Sequence, residues 1–296
     1  MPQSGANQSD EKRVTQAGAD SPHLDEKQQK QAAERAPPGA LVIHEVVREQ
    51  GEIELERSFS GLAWSGLAAG LSIGFSFVMQ AYLQAGLPDA PWRVLVAGFG
   101  YSLGFLIVIL GQQQLFTETT LTALIPTLTR RNLATLSRTM RVWIIVLVMN
   151  LIGTLAFAAI ASQPGIFAPS ATAAMAGLSA HLLALPFWQA LIRAGSAGWL
   201  IGLMVWLLPA AGSARPFIIV LLTYVIALCR FPHAIAGSVE AAYGVFTGHA
   251  SVGDYLLRFL VPTLIGNIFG GTALAALLNH APVASELEAV ESEGRR

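Results

Sequence analysis

Residues 112–119 read QQQLFTET and residues 230–237 read RFPHAIAG. Each of these polar, loop-forming stretches interrupts a hydrophobic segment that is long enough to cross a bilayer. The bilayer interior offers no partners to backbone N–H and C=O groups, so such a stretch is tolerated mainly where it faces protein or lines a cavity. Two broken helices at matching positions therefore indicate a transport path.

Composition indicates the same class of protein. Hydrophobic residues make up 53% of the chain and charged residues 12%, whereas soluble domains contain about 25% charged residues. Of the 37 charged residues, 18 lie in residues 1–58 and 6 lie after residue 281. The chain is therefore predicted to be a multi-pass membrane protein with charged ends.

The sequence divides into four parts. Residues 1–38 lack the apolar content to form a core and are predicted to be a disordered cytoplasmic tail. Residues 39–57 alternate apolar and charged residues as an amphipathic pre-membrane helix does, and this helix either lies at the membrane surface or packs on a neighbouring subunit. A channel domain follows at 58–280, and residues 281–296 form a cytoplasmic C-terminal tail.

Six hydrophobic regions in the channel domain each hold the roughly 20 apolar residues that a crossing needs. They are Phe59–Leu83, Arg93–Leu128 (broken), Val142–Ala161, Leu183–Leu208, Pro216–Phe246 (broken) and Leu256–Asn279. Four arginines lie between the second and third regions and one lies between the fourth and fifth, while the other three links hold few cations. Because cytoplasmic loops are enriched in Lys and Arg, both termini are predicted to be cytoplasmic.

The chain also repeats itself. The motif NLIGTL at 150–155 resembles NIFGGT at 267–272, and each follows a broken region at a similar distance. Three helices plus three helices are implied, and an odd number places the two halves in the membrane with opposite orientation. The sequence thus predicts a 3+3 inverted repeat whose breaks, in the second and fifth helices, meet near the midplane.

Four motifs occur in this order on the six-span frame: LFT at 115–117, NLIG at 150–153, FPHAIA at 231–236 and IGNIFGG at 265–271. With them the chain resembles the formate/nitrite transporter family over about residues 57–280. That resemblance implies an all-α, aquaporin-like fold of six helices, assembled as a homopentamer with one pore per protomer. It also implies a channel for small monovalent anions or their conjugate acids.

The resemblance implies a site as well. The family's central pore histidine matches His233 and its loop threonine matches Thr117. A bare anion in a medium of low dielectric costs many kcal/mol, so a pore must supply positive potential or neutralise its cargo; a histidine can donate a hydrogen bond or a proton to a weak acid. The remaining candidate pore residues are Leu115, Tyr101 and Phe105 as a constriction on one side, Ile226 on the other, and Phe116, Asn150 and Asn267.

Four charged residues fall inside the hydrophobic regions, where isolated charges are costly and usually face a partner or water. They are Arg230, Glu118, Arg193 and Glu240. Two positive and two negative residues indicate pairing. The four charges either form buried structural ion pairs or steer a substrate. We expect Arg230 to pair with Glu118, which occupies the matching break; the alternative is that Arg230 faces an anion.

Two features depart from the family pattern and leave the substrate open. The acidic residue that usually precedes the central histidine is Pro232 here, and the usual asparagine is Gly237. His181 lies near the position where the family often has a cationic residue, so it is either a vestibule residue or a solvated one.

Taken together, these features predict a passive or proton-linked channel for formate, nitrite or a similar solute in a bacterial-type inner membrane. The predicted partners are this small anion or weak acid and the lipid bilayer, with no nucleic acid, cofactor or metal. No motif indicates an enzyme.

Two alternatives stay open: a neutral-solute or water pore, and a non-conducting membrane scaffold. Pairing of Arg230 with Glu118 favours the neutral-solute pore over an anion channel. Continuous occlusion at Tyr101, Phe105 and Leu115 favours the non-conducting scaffold.

Overall fold

The computed structural model describes residues 21–279 together with residues 281 and 283. Within these residues the regular secondary structure is entirely helical, as predicted. The ends of both predicted tails, residues 1–20 and 284–296, lie outside the described residues. The α-helices are α1 (Glu26–Arg35), α2 (Ala40–Glu56), α3 (Phe59–Ser72), α4 (Gly74–Gly86), α5 (Arg93–Leu110), α6 (Phe116–Thr122), α7 (Leu124–Arg130), α8 (Leu133–Ala161), α9 (Pro169–Leu183), α10 (Phe187–Leu207), α11 (Arg215–Leu228), α12 (Ala236–Phe246) and α13 (Val261–Phe269).

Several of these helices join into segments that are long and apolar enough to cross a membrane. Five such segments occur in the described residues: Phe59–Gly86, Arg93–Leu110, Leu133–Ala161, Phe187–Ala210 and Asp254–Leu277. The last of them continues α13 through π-helical turns on both sides. A shorter apolar helix spans Gly212–Leu228. The chain is therefore a multi-pass membrane protein.

The two predicted breaks are present, and they have the same local structure. α5 ends at Leu110 before α6 begins, and α11 ends at Leu228 before α12 begins. Each break opens with a residue in the left-handed region, Gln112 or Arg230, both with φ of 51°. In each, the next backbone N–H bonds to the carbonyl five residues back, at 2.9 Å in the first break and 3.0 Å in the second. This is the Schellman arrangement that ends helices.

Close backbone contacts hold the two halves around these breaks. α3 packs on α8, and α10 packs on α13. A Cβ at Gly70 would lie 2.2 Å from the carbonyl oxygen of Asn150, and a Cβ at Gly198 would lie 2.2 Å from that of Asn267. Glycine is required at both positions because any side chain would separate the helices.

Three helices differ from the sequence expectation. α8 begins at Leu133, nine residues before the predicted Val142, because the Asn132 side chain accepts a hydrogen bond from the Thr135 N–H at 2.8 Å and so caps the helix. α9 was not predicted; it packs against α4 and α12 and ends beside His181. α1 lies in the stretch predicted to be disordered, and it has a capping box at Asp25 and no buried residue.

The pre-membrane helix α2 packs on its own chain rather than on lipid alone. It contacts α6, α7, α8 and α10. A Cβ at Gly51 would lie 2.1 Å from the carbonyl oxygen of Thr122, so the glycine permits this close approach to α6. α2 therefore covers one end of the helix bundle and places Glu54 against the first break.

Candidate functional site

The two breaks meet at a contact between Thr117 and His233. The Thr117 Oγ1 lies 2.7 Å from the His233 Nε2, and both side chains are buried, with exposed fractions of 1%. Thr117 belongs to the first turn of α6, and His233 lies three residues before α12 begins. The structure thus brings together the two central residues that the resemblance implies.

Backbone geometry sets the protonation of this histidine. The Ala236 N–H, at the start of α12, donates to the His233 Nδ1 at 3.2 Å. A nitrogen that accepts a hydrogen bond carries no proton, so in this conformation the ring is neutral and its proton is on Nε2. His233 therefore donates to Thr117, and the Thr117 hydroxyl proton is left for an acceptor in the pore.

Two buried asparagines hold the breaks open in the same way. The Asn150 Oδ1 accepts from the Phe116 N–H at 2.8 Å, and its Nδ2 donates to the carbonyls of Gly66 and Gln114 at 2.7 and 2.9 Å. The Asn267 Oδ1 accepts from the Ala234 N–H at 2.8 Å, and its Nδ2 donates to the carbonyls of Ala194 and Pro232 at 2.8 and 3.1 Å. These side chains replace helical partners that the break removes.

The prediction that Asn150 and Asn267 are pore residues stays a prediction, and these contacts give both side chains a structural role in this conformation. Neither side chain is exposed, and neither lines the two cavities described below. The asparagines instead position the backbone that carries Thr117 and His233. Phe116 also points away from the cavities, since its ring packs against Trp143 at 6.1 Å.

Apolar side chains surround the Thr117–His233 contact. The Phe105 ring stands edge-on to the His233 imidazole at a centroid distance of 5.1 Å and contacts Tyr101 at 5.3 Å. Phe105 and Leu115 are fully buried. Of the predicted constriction, Tyr101 and Ile226 border one cavity and Leu115 borders the other. An apolar layer therefore separates two cavities in this conformation.

The first of these, the His181 cavity, has a volume of about 300 Å³. Its polar lining consists of Gln80, Gln84, Tyr101, His181, Arg230, His233 and Glu240. The Arg230 Nη1 donates to the His181 ring, in which Nε2 is the nearer nitrogen and Nδ1 lies 3.2 Å away. Burial and the neighbouring charge of Arg230 lower the pKa of His181, so the ring stays neutral and accepts this bond.

The second cavity, the α2 cavity, has a volume of about 480 Å³. Its polar lining consists of Gln50, Glu54, Gln112, Gln113, Gln114, Glu118, Thr119, Thr122 and Arg215. Buried Glu54 accepts a hydrogen bond from the Thr122 hydroxyl at 2.6 Å. Burial raises the pKa of Glu54 to about 7, despite the opposing effect of this hydrogen bond.

These cavities lie at opposite ends of the same helices. In α5, Val94 and Tyr101 line the His181 cavity, whereas Ile109 lines the α2 cavity. In α11, Arg215 lines the α2 cavity, whereas Ile226 lines the His181 cavity. The 15 residues from Val94 to Ile109 rise about 22 Å along a helix. Two polar cavities thus approach the Thr117–His233 contact from opposite sides.

That arrangement overturns the expected ion pairs. Arg230 follows α11 on the His181 side, and Glu118 follows the first break on the α2 side, so the layer at Thr117 and His233 separates them. Among the described residues, neither these two side chains nor Arg193 and Glu240 have an opposite charge within 4.0 Å. The sequence could not give the side of the Thr117–His233 layer on which Arg230 lies. Arg193, in α10, lines neither cavity.

Several site residues were missed by the sequence reasoning. Gln80, Gln84 and Arg215 line the cavities from the ends of predicted spans, where a polar residue is also common for interfacial reasons. Glu54 lies in a helix that the sequence placed outside the channel. The periodicity of α2 offered one signal, since Val47, Gly51 and Glu54 share its buried face.

A channel-like membrane fold with two broken helices and a buried Thr–His contact defines the class of this protein. The model of the formate/nitrite transporter family matches residues 41–281. The chain therefore belongs to the formate/nitrite transporter family, as its motifs predicted.

Individual relatives and structures agree with that assignment. Inner membrane protein YfdC of Escherichia coli (strain K12) is 39% identical over 254 residues, which are 86% of this chain and 82% of that protein. Formate channel FocA of Haemophilus influenzae is 26% identical over 70% of this chain and 81% of its own length. A solved structure described as a pentameric formate channel with formate bound superposes with a TM-score of 0.63 at 21% identity, covering 76% of this chain and 98% of that one. A second, described as an FNT family ion channel, has a TM-score of 0.69 at 18% identity, covering 80% and 96%. These two show the fold.

Proposed function

We propose that this chain is a channel for small monovalent anions, or their conjugate acids, of the size of formate or nitrite. The observation that carries the proposal is the buried 2.7 Å contact between Thr117 and His233, which lies between two polar cavities at opposite ends of the bundle. Relatives named as formate channels support the same substrate class.

Arg230 would draw the anion in from the His181 side. Its guanidinium lines the cavity beside His181 without an ion-pair partner among the described residues. A cleft with low-dielectric walls concentrates the field of such a charge. The anion would then reach the hydroxyl of Thr117, which His233 leaves free to donate.

Passage beyond this point is passive or proton-linked. Phe105 and Leu115 form the apolar layer, and a bare anion between them would lose its hydration without compensation. A neutral weak acid loses far less free energy of hydration there. The Thr117 hydroxyl, held by the His233 N–H, can hydrogen-bond either form at the layer.

The assembly proposed here is a homopentamer with one pore in each protomer, by similarity to the pentameric channel structure. It would lie in the inner membrane, as the name of the YfdC relative indicates for that protein. Both termini would face the cytoplasm, since four arginines cluster where α8 begins: Arg130 and Arg131 precede it, and Arg138 and Arg141 lie in its first turns. The protein would act as a transporter and not as an enzyme.

A flux assay tests the proposal. Purified protein in liposomes is offered formate, nitrite, acetate and hydrosulfide at two pH values, and protein-free liposomes serve as the control. We expect influx of at least one of these solutes well above that of the control. Influx equal to the control for all four, with water or glycerol conducted instead, would make the protein a neutral-solute pore.

A further inference from the structure

Glu240 is a carboxyl group in the permeation path that the site described above does not use. It lies in α12, seven residues after His233, and lines the same cavity as His233 and Arg230. Its oxygens form no hydrogen bond or ion pair with any residue that the structure describes. A carboxyl group in this position is free to bind, or to exchange a proton with, whatever enters the cavity.

His233 cannot supply a proton from its observed state. Its Nδ1 has no proton because it accepts from Ala236, and its Nε2–H is donated to Thr117. Losing that proton would leave an imidazolate, which is far too basic to form here. Gaining one at Nδ1 would break the bond to Ala236. The ring is a hydrogen-bonding group, and the proton that neutralises an anion has to come from elsewhere.

The residues that line the His181 cavity limit which group can donate this proton. The other titratable or charged side chains that face Glu240 are Tyr101 from α5, His181 from α9, and Arg230 and His233 from the second break. α4 contributes the amides Gln80 and Gln84, and neither α8 nor residues 254–260 line the cavity. Arg230 holds its proton, neutral His181 accepts from it, and a phenol is a weak acid with a pKa of about 10. Only the carboxyl group of Glu240 is comparable in strength to a simple carboxylic acid.

We propose that Glu240 protonates the permeating anion in the His181 cavity. This inference rests on the proposed channel function and adds the proton donor to it. The O–H bond of the Glu240 carboxyl breaks and a new O–H bond forms on the anion, which gives a carboxylate at Glu240 and a neutral acid. The acid crosses the layer at Phe105 and Leu115, and a hydronium ion from the solvent on the His181 side reprotonates Glu240. One proton moves with each anion.

The test compares Glu240→Gln with the wild-type protein in liposomes that contain a pH-sensitive dye. Formate influx and internal acidification are recorded at external pH 5.5 and pH 7.5. The glutamine variant can use only formic acid that is already protonated in solution, so we expect its influx to fall about 100-fold between these pH values, as the acid fraction does. Nearly all formate in solution is ionised at both pH values, so the wild-type influx should exceed that of the glutamine variant at least about tenfold at each pH. Glu240→Asp, which keeps the carboxyl group, should retain the wild-type influx, and Glu49→Gln makes the same chemical change on the exposed face of α2 as a control.

The outcomes separate the two proposals. A glutamine variant with the wild-type influx at both pH values would overturn the role of Glu240 while leaving the channel intact. No influx of any weak acid through the wild-type protein would overturn the channel function itself. If the glutamine variant fails to assemble, the aspartate variant decides: wild-type influx supports the proposal, and a loss of at least about tenfold contradicts it.

Discussion

Replacing Asn267 by alanine tests whether side-chain hydrogen bonds hold the second break open. The change removes three buried bonds, to the Ala234 N–H and to the carbonyls of Ala194 and Pro232. At about 0.6–1 kcal/mol each, the bonds contribute about 2–3 kcal/mol. The Ala234 N–H is then buried without a partner, which adds about 1–3 kcal/mol. We therefore expect the free energy of unfolding to fall by about 3–6 kcal/mol.

Asn150→Ala is the matched variant, because Asn150 makes the same three kinds of bond in the first break. Its loss should agree with that of Asn267→Ala to within about 1 kcal/mol. Asn279→Ala removes a single partly buried bond, to the Ala275 carbonyl at 2.6 Å, and should cost less than about 1 kcal/mol. Equilibrium unfolding in mixed detergent micelles measures all three. A stable Asn267→Ala, or a loss confined to one break, would refute the equivalence of the two breaks.

Four further predictions concern single features of the fold. Gly198→Ala should destabilise the protein by about 1–3 kcal/mol in the same unfolding assay, because its Cβ would lie 2.2 Å from a backbone oxygen, whereas Gly177→Ala, with nothing within 4 Å, should not. The pKa of Glu54 is raised from 4.5 to about 7, so the folded state favours the protonated carboxyl group, and the resulting stabilisation is complete below pH 4.5 and is lost as the pH rises through 7. Over this range the wild-type free energy of unfolding should fall by about 3 kcal/mol relative to that of Glu54→Gln, and parallel pH profiles of the two proteins would exclude the effect. Arg230→Gln should assemble normally, since no buried carboxylate is left unpaired, and should lower anion influx about tenfold at low salt; a collapse in folded yield would instead restore the ion-pair hypothesis. Deletion of residues 1–38 should leave oligomer size unchanged by size-exclusion chromatography, because α1 buries no residue, and a smaller particle would identify the tail as an assembly element.

The sequence predicted those features that follow from the membrane as a solvent. Polar stretches inside apolar segments had to be breaks, and two breaks at matching positions had to meet. The resemblance to the formate/nitrite transporter family then implied Thr117 and His233 as the central residues. The glycine-rich, asparagine-containing motifs were equally visible. The structural role of the two asparagines could not be predicted, because an asparagine that satisfies a broken backbone and one that binds a permeant have the same residue type and spacing.

Other features depended on information that spacing does not contain. The side of the Thr117–His233 layer on which Arg230 lies depends on how the two breaks oppose each other. The structure places Arg230 and Glu118 on opposite sides of this layer, so they do not pair. α9 escaped prediction because its 15 residues, mostly small and apolar, are too few to cross the membrane. The packing of α2 against α6 depends on the close approach at Gly51, which no hydrophobic pattern reveals.

Formate influx through Thr117→Val tests the central claim most directly. Valine keeps the shape of the side chain and removes the hydroxyl that lies 2.7 Å from His233. Thr154→Val is the matched control, because Thr154 is equally buried and its hydroxyl bonds only to the Leu151 carbonyl. If the permeant passes the Thr117–His233 contact, Thr117→Val should lose at least about tenfold in formate influx, or about 1.4 kcal/mol, while Thr154→Val retains the wild-type rate. Wild-type influx through Thr117→Val would show that the solute does not pass this contact.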